Sequence, residues 1–336
     1  MTKNELIKYR FIIALFGNRH RGMLLPLLYS ISKTNPQANV TLLWEEIDEN
    51  FISLVNKCFN GVEFIKTTFN FSNDITRRIS SKTLLWEYAA SIKSQENVIF
   101  VDADTVILKD ISHFFSNSKA QIIFTVDHDN KYPINTGVML GKMTPAAQKF
   151  FSAWRKETQK VLDNPKLYQQ ANNKKLSYGG ADQMSFQRLI KFEKRKDWYE
   201  GNDLTIQGLP RTCLNETNSV PISNKTHIIH YKGGWNDIIY KGGNFTSRRP
   251  KKASWEMYIF YLSNYLEALK YFNEKTGSGF ILSDFGVAVP FYINIKKLEE
   301  KHFLYPIHYL WTWVRSLIPR IKRYYVERIE KSQQKT

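Results

Sequence analysis

The sequence predicts an α/β chain with a mostly parallel central sheet flanked by helices, followed by a C-terminal helical extension. Three observations carry this. Short apolar runs alternate with segments of helical spacing through the first 145 residues. The apolar runs are almost continuous rather than alternating, as expected of strands buried on both faces. After about residue 276 the chain changes character and becomes basic and aromatic.

The elements follow in order. "RFIIALF" (10–16) reads as a buried strand, "MLLPLLYSI" (23–31) as a helix and "NVTLLW" (39–44) as a second strand. A helix is expected over 46–59, a short strand at "VEFI" and a helix over 80–92, where apolar residues recur at three- and four-residue steps. "NVIFV" (97–101) is again a strand. Beyond residue 146, helices are expected over 145–162, 182–192 and 254–272, with strands near 120–126, 136–141 and 226–231. In a sheet of this kind ligands bind at the carboxyl ends of the strands, so the residues after each strand are the ones to examine.

Composition sets limits on function. With 336 residues and 43% hydrophobic content, the chain has the material for a real core. Its 48 Lys and Arg against 31 Asp and Glu leave a formal charge of +17, which favours an anionic partner. No nucleic-acid-binding module accompanies that charge. Cys58 and Cys213 are too few for a disulfide framework or a thiolate zinc site and suit a reducing, intracellular setting. No secretory signal is recognised in the first 30 residues, and no run is long and apolar enough to span a bilayer. The Asn-x-Ser/Thr triplets at Asn70, Asn215, Asn224 and Asn244 are read as chance matches.

The most informative segment is "NVIFVDADTVILKDISHFF" (97–115), in which a strand runs into Asp102-Ala103-Asp104. Two carboxylates one residue apart repel and lose solvation at a strand end. A hard divalent cation relieves both costs. Were the stretch extended throughout, Asp102 and Asp104 would point to one side. Oxygen ligands favour Mg²⁺ or Mn²⁺ over zinc. Two enzyme classes use this spacing. In haloacid-dehalogenase-type phosphatases the motif is D-x-D-x-[TV], matched by Asp102, Asp104 and Val106, but it opens the domain and is joined by a downstream acidic pair. Here the motif lies a hundred residues in and no such pair follows. The other class transfers sugars from nucleotides.

The remaining motifs agree with the second class. Lys82-Thr83-Leu84 precedes the acidic pair, "INTGVML" (134–140) and "GGADQMSF" (179–186) follow it, and "HIIHYKGGW" (227–235) comes last. In this order they resemble glycosyltransferase family eight, which includes glycogenin and bacterial lipopolysaccharide galactosyl- and glucosyltransferases. The resemblance spans roughly 10–240 and implies a GT-A fold over 1–275, with 276–336 as an extension. It further implies a Mn²⁺- or Mg²⁺-dependent, retaining transfer of a hexose from a nucleotide-diphosphate sugar, with uridine the first choice of base.

By that resemblance Asp102, Asp104 and His230 are the metal ligands. His227 falls on the opposite face of the same strand and is not expected to join them. Asn135, Asp182 and Gln183 are implied on the sugar and acceptor side. Lys82, Arg78, Ala103, Lys232, Gly233 and Asn18, together with Asp102, are implied around the donor. Lys241, in a second Tyr-Lys-Gly-Gly turn, and Arg77 are further cationic candidates. Two departures stand out: "FGNRHRG" (16–22) offers Asn18 but no uracil-stacking tyrosine, and Trp235 follows Gly234 with no proline between.

The tail "FLYPIHYLWTWVRSLIPRIKRYYVERIE" (303–330) sets aromatic residues on one helical face and Arg315, Arg320, Lys322 and Arg323 on the other. Such a segment suits the headgroup region of an anionic bilayer. The combined expectation is a cytoplasmic glycosyltransferase, peripheral on the inner face of the membrane, extending a lipopolysaccharide or other surface glycan. The competing readings are a haloacid-dehalogenase-type phosphatase and a basic membrane-binding adaptor without catalysis.

Overall fold

A computed structural model describes residues 8–68, 80–91, 96–173, 178–201, 203–216, 223–231, 239 and 252–287. The basic tail lies outside these residues, and so does the greater part of the predicted extension.

The chain opens with β1 (Tyr9–Phe16), α1 (Leu24–Thr34), β2 (Asn39–Glu45), α2 (Glu49–Cys58) and β3 (Val62–Lys66). Next come α3 (Leu84–Ser91), β4 (Asn97–Asp102), β5 (Thr105–Ile107), α4 (His113–Asn117), β6 (Ile122–Val126) and β7 (Ile134–Gly141). The second half contains α5 (Pro145–Asp163), α6 (Pro165–Asn172), α7 (Ala181–Ile190), β8 (Trp198–Gly201), β9 (Leu204–Pro210), α8 (Arg211–Leu214), β10 (Ile228–His230) and α9 (Lys252–Thr276). The expected strands and helices are present within a few residues. β5, α4, α6, β8, β9 and α8 are additions, and β9 lies one strand in from the edge of the sheet.

Eight strands form one sheet in the order β3-β2-β1-β4-β7-β6-β9-β8. The ladders β3-β2, β2-β1, β1-β4 and β6-β9 are parallel. β7 runs against both its neighbours, and β8 pairs antiparallel with β9, so the sheet is mostly but not wholly parallel. The apolar strands of β1 explain its burial on both sides. Phe11, Ile13 and Leu15 face a core built with α1, α2 and α9, while Ile12 faces a second core with α3, α5 and α7. Trp86, Trp154 and Phe186 fill that second core. Leu282, Phe285 and Val287, beyond the expected boundary at 275, pack into the first core.

Two local irregularities shape the site. The stretch after β4 is not one continuous strand: Asp102 ends β4, Ala103 and Asp104 form a turn, and β5 leaves to pair antiparallel with β10 in a separate two-stranded sheet. β7 also bulges, because its register on β6 jumps from Phe124↔Met139 to Thr125↔Asn135. Thr136 and Gly137 therefore leave the β6 ladder beside the carboxyl end of β4. Bulges of this kind commonly re-aim side chains next to a site.

Candidate metal and donor site

The turn after β4 is held from both ends. The Thr105 hydroxyl donates to the Asp102 carbonyl (2.8 Å), and the Tyr231 amide donates to the Asp104 carbonyl (2.8 Å). Because β10 pairs with β5, His230 comes opposite Thr105 and its imidazole reaches the two carboxylates. His230 Nε2 lies 3.0 Å from Asp104 Oδ1 and 3.6 Å from Asp102 Oδ2. One ligand atom from each of the three residues falls within 4.8 Å of the others. A turn, rather than the period-2 alternation of a strand, brings the carboxylates together.

Gly137 makes room for this arrangement. A Cβ there would stand 2.4 Å from His230 Cε1 and 2.6 Å from Asp102 Oδ2. Only a bare backbone lets β7 pass this close.

Lys82, at the start of the helical segment leading into α3, enters from the other side. Its Nζ lies 3.3 Å from both Asp102 oxygens and 3.7 Å from Asp182 Oδ2. Burial alone would depress the Lys82 ammonium. The charges of Asp102, Asp182 and Asp104 and the hydrogen bond to Asp102 override it and hold the group above its ordinary value. Asp104 shows the converse. Burial would raise its carboxyl, but the His230 charge and hydrogen bond, its own backbone and Lys82 hold it below the usual range. Asp182 is 2% exposed, at the start of α7, and accepts a 2.5 Å bond from the Thr136 hydroxyl. The backbone reaches it through Gly179 (φ +77°) and Gly180 (φ +140°), conformations natural to glycine.

This donor set fits a divalent cation. Two carboxylate oxygens and one imidazole nitrogen converge, and the three carboxylates outnumber the one ammonium beside them. Oxygen-rich ligands of this kind suit Mg²⁺ or Mn²⁺.

The other sequence candidates distribute as follows. Asn135 and Gln183 line a cavity of about 370 Å³ with Tyr132, Asn172, Asn173 and Gly179. Gln183 Nε2 donates to the Gly179 carbonyl, while its Oε1 is buried with no hydrogen-bond partner among the described residues. Asn18 follows β1 and so stands at the same edge of the sheet as Asp102, where its Oδ1 accepts from the Asp48 amide and from Arg21. Ala103 commits its methyl group to the core. His227 turns away and packs against His113 and Phe114. Arg77, Arg78, Lys232, Gly233, Trp235 and Lys241 lie outside the described residues. Sequence reasoning missed Thr136, Gly137 and Asn215. A glycine inside an apolar strand was the available signal for the second.

Residues 92–237 match the family model described as nucleotide-diphospho-sugar transferase. The glycosyltransferase GlyE of Streptococcus pneumoniae TIGR4 superposes with a TM-score of 0.52 at 13% identity, covering 85% of this chain and 66% of GlyE. The fold is GT-A. The apo form of GlyE gives a TM-score of 0.50 at 14% identity, again over 85% and 66% of the two chains. Galactosyltransferase LgtC, in complex with donor and acceptor sugar analogs, is similar at 0.46 and 13% identity, over 87% of this chain and 99% of that one. The present chain thus spans just under two thirds of the length of GlyE. No curated protein matches it. No helix among the described residues is long and apolar enough to cross a membrane.

Proposed function

We propose that this chain is a metal-dependent, retaining hexosyltransferase of glycosyltransferase family eight. It moves glucose or galactose from a nucleotide-diphosphate sugar, UDP-linked by first choice, to a lipopolysaccharide or other surface-glycan acceptor. The observation that carries the reading is the convergence of Asp102, Asp104 and His230 beside Lys82 at the carboxyl edge of the sheet.

Asp102, Asp104 and His230 would hold Mn²⁺ or Mg²⁺, which as a Lewis acid stabilises negative charge on a departing diphosphate. Lys82 brings a second positive charge to the same place. Asp182, itself buried, holds that ammonium between two carboxylates and keeps it charged. Arg78, Lys232 and Gly233 are assigned to the remaining phosphate contacts and Asn18 to the nucleoside end. The cavity lined by Asn135 and Gln183 receives the sugars, and Gln183 Oε1, buried with no partner among the described residues, is an acceptor for a hydroxyl.

In the transfer, the bond from the anomeric carbon to the diphosphate oxygen breaks and a bond to the acceptor oxygen forms on the same face. The acceptor's proton passes to the departing diphosphate, so no protein nucleophile is required. We assign the chain to the cytoplasmic face of an anionic membrane, on the strength of its +17 charge and the basic aromatic segment 303–330. Nothing among the described residues favours the phosphatase alternative.

The test is nucleotide release from a panel of sugar nucleotides with Mn²⁺, in the presence of glycan acceptors. Release from one UDP-hexose, abolished in Asp104→Asn, supports the proposal. Absence of release from every donor, or a phosphoenzyme trapped at Asp102, overturns it.

A further inference from the structure

Asn215 is fully buried just after α8, and neither end of its amide is idle. Nδ2 donates to Thr125 Oγ1 (2.9 Å) and to Asn135 Oδ1 (2.8 Å), and Oδ1 lies 2.8 Å from His230 Nδ1. Which end of an amide faces which neighbour must be reasoned from its partners. Here two partners decide it independently. The Thr125 hydroxyl spends its proton on the Asn135 carbonyl (3.0 Å), so its oxygen must accept from Asn215. Asn135 Oδ1 already accepts from the Gly137 amide (2.9 Å), a backbone donor that cannot be reversed, so it too needs a donor facing it. The Asn215 nitrogen is therefore on that side and its oxygen faces His230.

An oxygen facing Nδ1 requires Nδ1 to carry a proton. Nε2, which stands 3.0 Å from Asp104 Oδ1 as a donor, is then the nitrogen that gives up its proton when a cation binds between the carboxylates and offers its lone pair. We propose that Asn215 is the positioning residue that fixes the ring and tautomer of His230 for metal binding. Through Asn135 it also ties the metal ligand to a wall of the sugar cavity. The chain of bonds runs from the Gly137 amide in β7 to the imidazole in β10, across sequence separations that no local motif reports. It also removes Asn215 from consideration as a glycosylation acceptor.

The inference rests on the metal role of His230 proposed above, and the experiment separates the two. Mn²⁺ affinity is measured by electron paramagnetic resonance without nucleotide, for wild type, Asp104→Asn, Asn215→Leu and Asn215→Asp. Partners that orient a ligating histidine are typically worth 10–100-fold in metal affinity. The expected result is a loss of that size in Asn215→Leu and a smaller one in Asn215→Asp, which keeps the acceptor for Nδ1–H but no longer donates to Thr125 and Asn135. Protein labelled with ¹⁵N-histidine and loaded with Mg²⁺ supplies a readout needing no variant at position 215: Nδ1 of His230 should be the protonated, pyrrole-type nitrogen. If Mn²⁺ binds wild type and fails in Asp104→Asn while Asn215→Leu binds normally, Asn215 has no such role and the metal site stands. A pyrrole-type Nε2 in the Mg²⁺ form overturns the inference outright. If wild type binds no Mn²⁺ at all, both readings fall.

Discussion

Gly137→Ala adds one methyl group at the point where β7 crosses the acidic turn. The new Cβ would stand 2.4 Å from His230 Cε1, 2.6 Å from Asp102 Oδ2 and 2.8 Å from His230 Nδ1, about 1 Å inside ordinary contact distance. β7 has little freedom to retreat, because Val138 pairs with Val101 of β4 on the sheet side. The imidazole is equally constrained, since its Nδ1 is bonded to Asn215. Overpacking of this kind costs about 1–3 kcal/mol. For a domain of this size that is a fall in melting temperature of roughly 2–10 °C. Relief must come largely from swinging His230 or Asp102 out of line, so Mn²⁺ affinity should drop at least tenfold, by the arithmetic that ~1.4 kcal/mol is tenfold. Gly201→Ala is the matched control, with nothing within 4 Å of its added Cβ; it should leave both quantities unchanged. Calorimetry and a Mn²⁺ titration read the two effects. A Gly137→Ala protein that melts with wild type and binds Mn²⁺ equally well would refute the packing described for this site.

Two further outcomes follow from the charges. Lys82→Met leaves the buried Asp182 facing Asp102 with no cation between them, and the metal-free protein should lose about 3–5 kcal/mol in urea unfolding; a loss under about 1 kcal/mol would mean the ammonium is not holding the pair. At the opposite edge of the sheet, burial would raise the Asp110 carboxyl, but the Ser112 hydroxyl and amide, Tyr9 and the His113 charge hold it below its ordinary value. A carboxyl depressed on folding contributes stability above its unfolded pKa and loses it as pH falls through the lower, folded one. The acid limb of the stability profile below about pH 4 should therefore be shallower in Asp110→Asn than in wild type, as followed by melting temperature; identical limbs would contradict the assignment.

Much of this architecture can be read in the chain because the strongest signals are local. The apolar runs of β1, β2 and β4 and the spacing around Leu85, Trp86 and Ala89 announce buried strands and an amphipathic helix within a few residues. Asp102 and Asp104 are equally local, and only their geometry differed, because a turn rather than a strand joins them. β9 escaped because "LTIQGLP" mixes polar residues with a glycine and a proline, yet it is paired on both sides by β6 and β8. Asn215 escaped for a different reason. Its partners Thr125 and Asn135 lie 90 and 80 residues away, and in the sequence it reads only as one of several Asn-x-Thr triplets. Thr136 likewise bonds Asp182 across 46 residues, through a bulge that no periodicity announces.

The central claim is that Asp102, Asp104 and His230 share one divalent ion. Crystals soaked in Mn²⁺ and a UDP-hexose, with diffraction recorded at the manganese absorption edge, address it directly. A single anomalous peak bonded to one oxygen of each carboxylate and to His230 Nε2, with donor phosphates completing its shell, is the result predicted. Density for the nucleotide with no anomalous scatterer at these three side chains, or a manganese peak elsewhere in the fold, would contradict it.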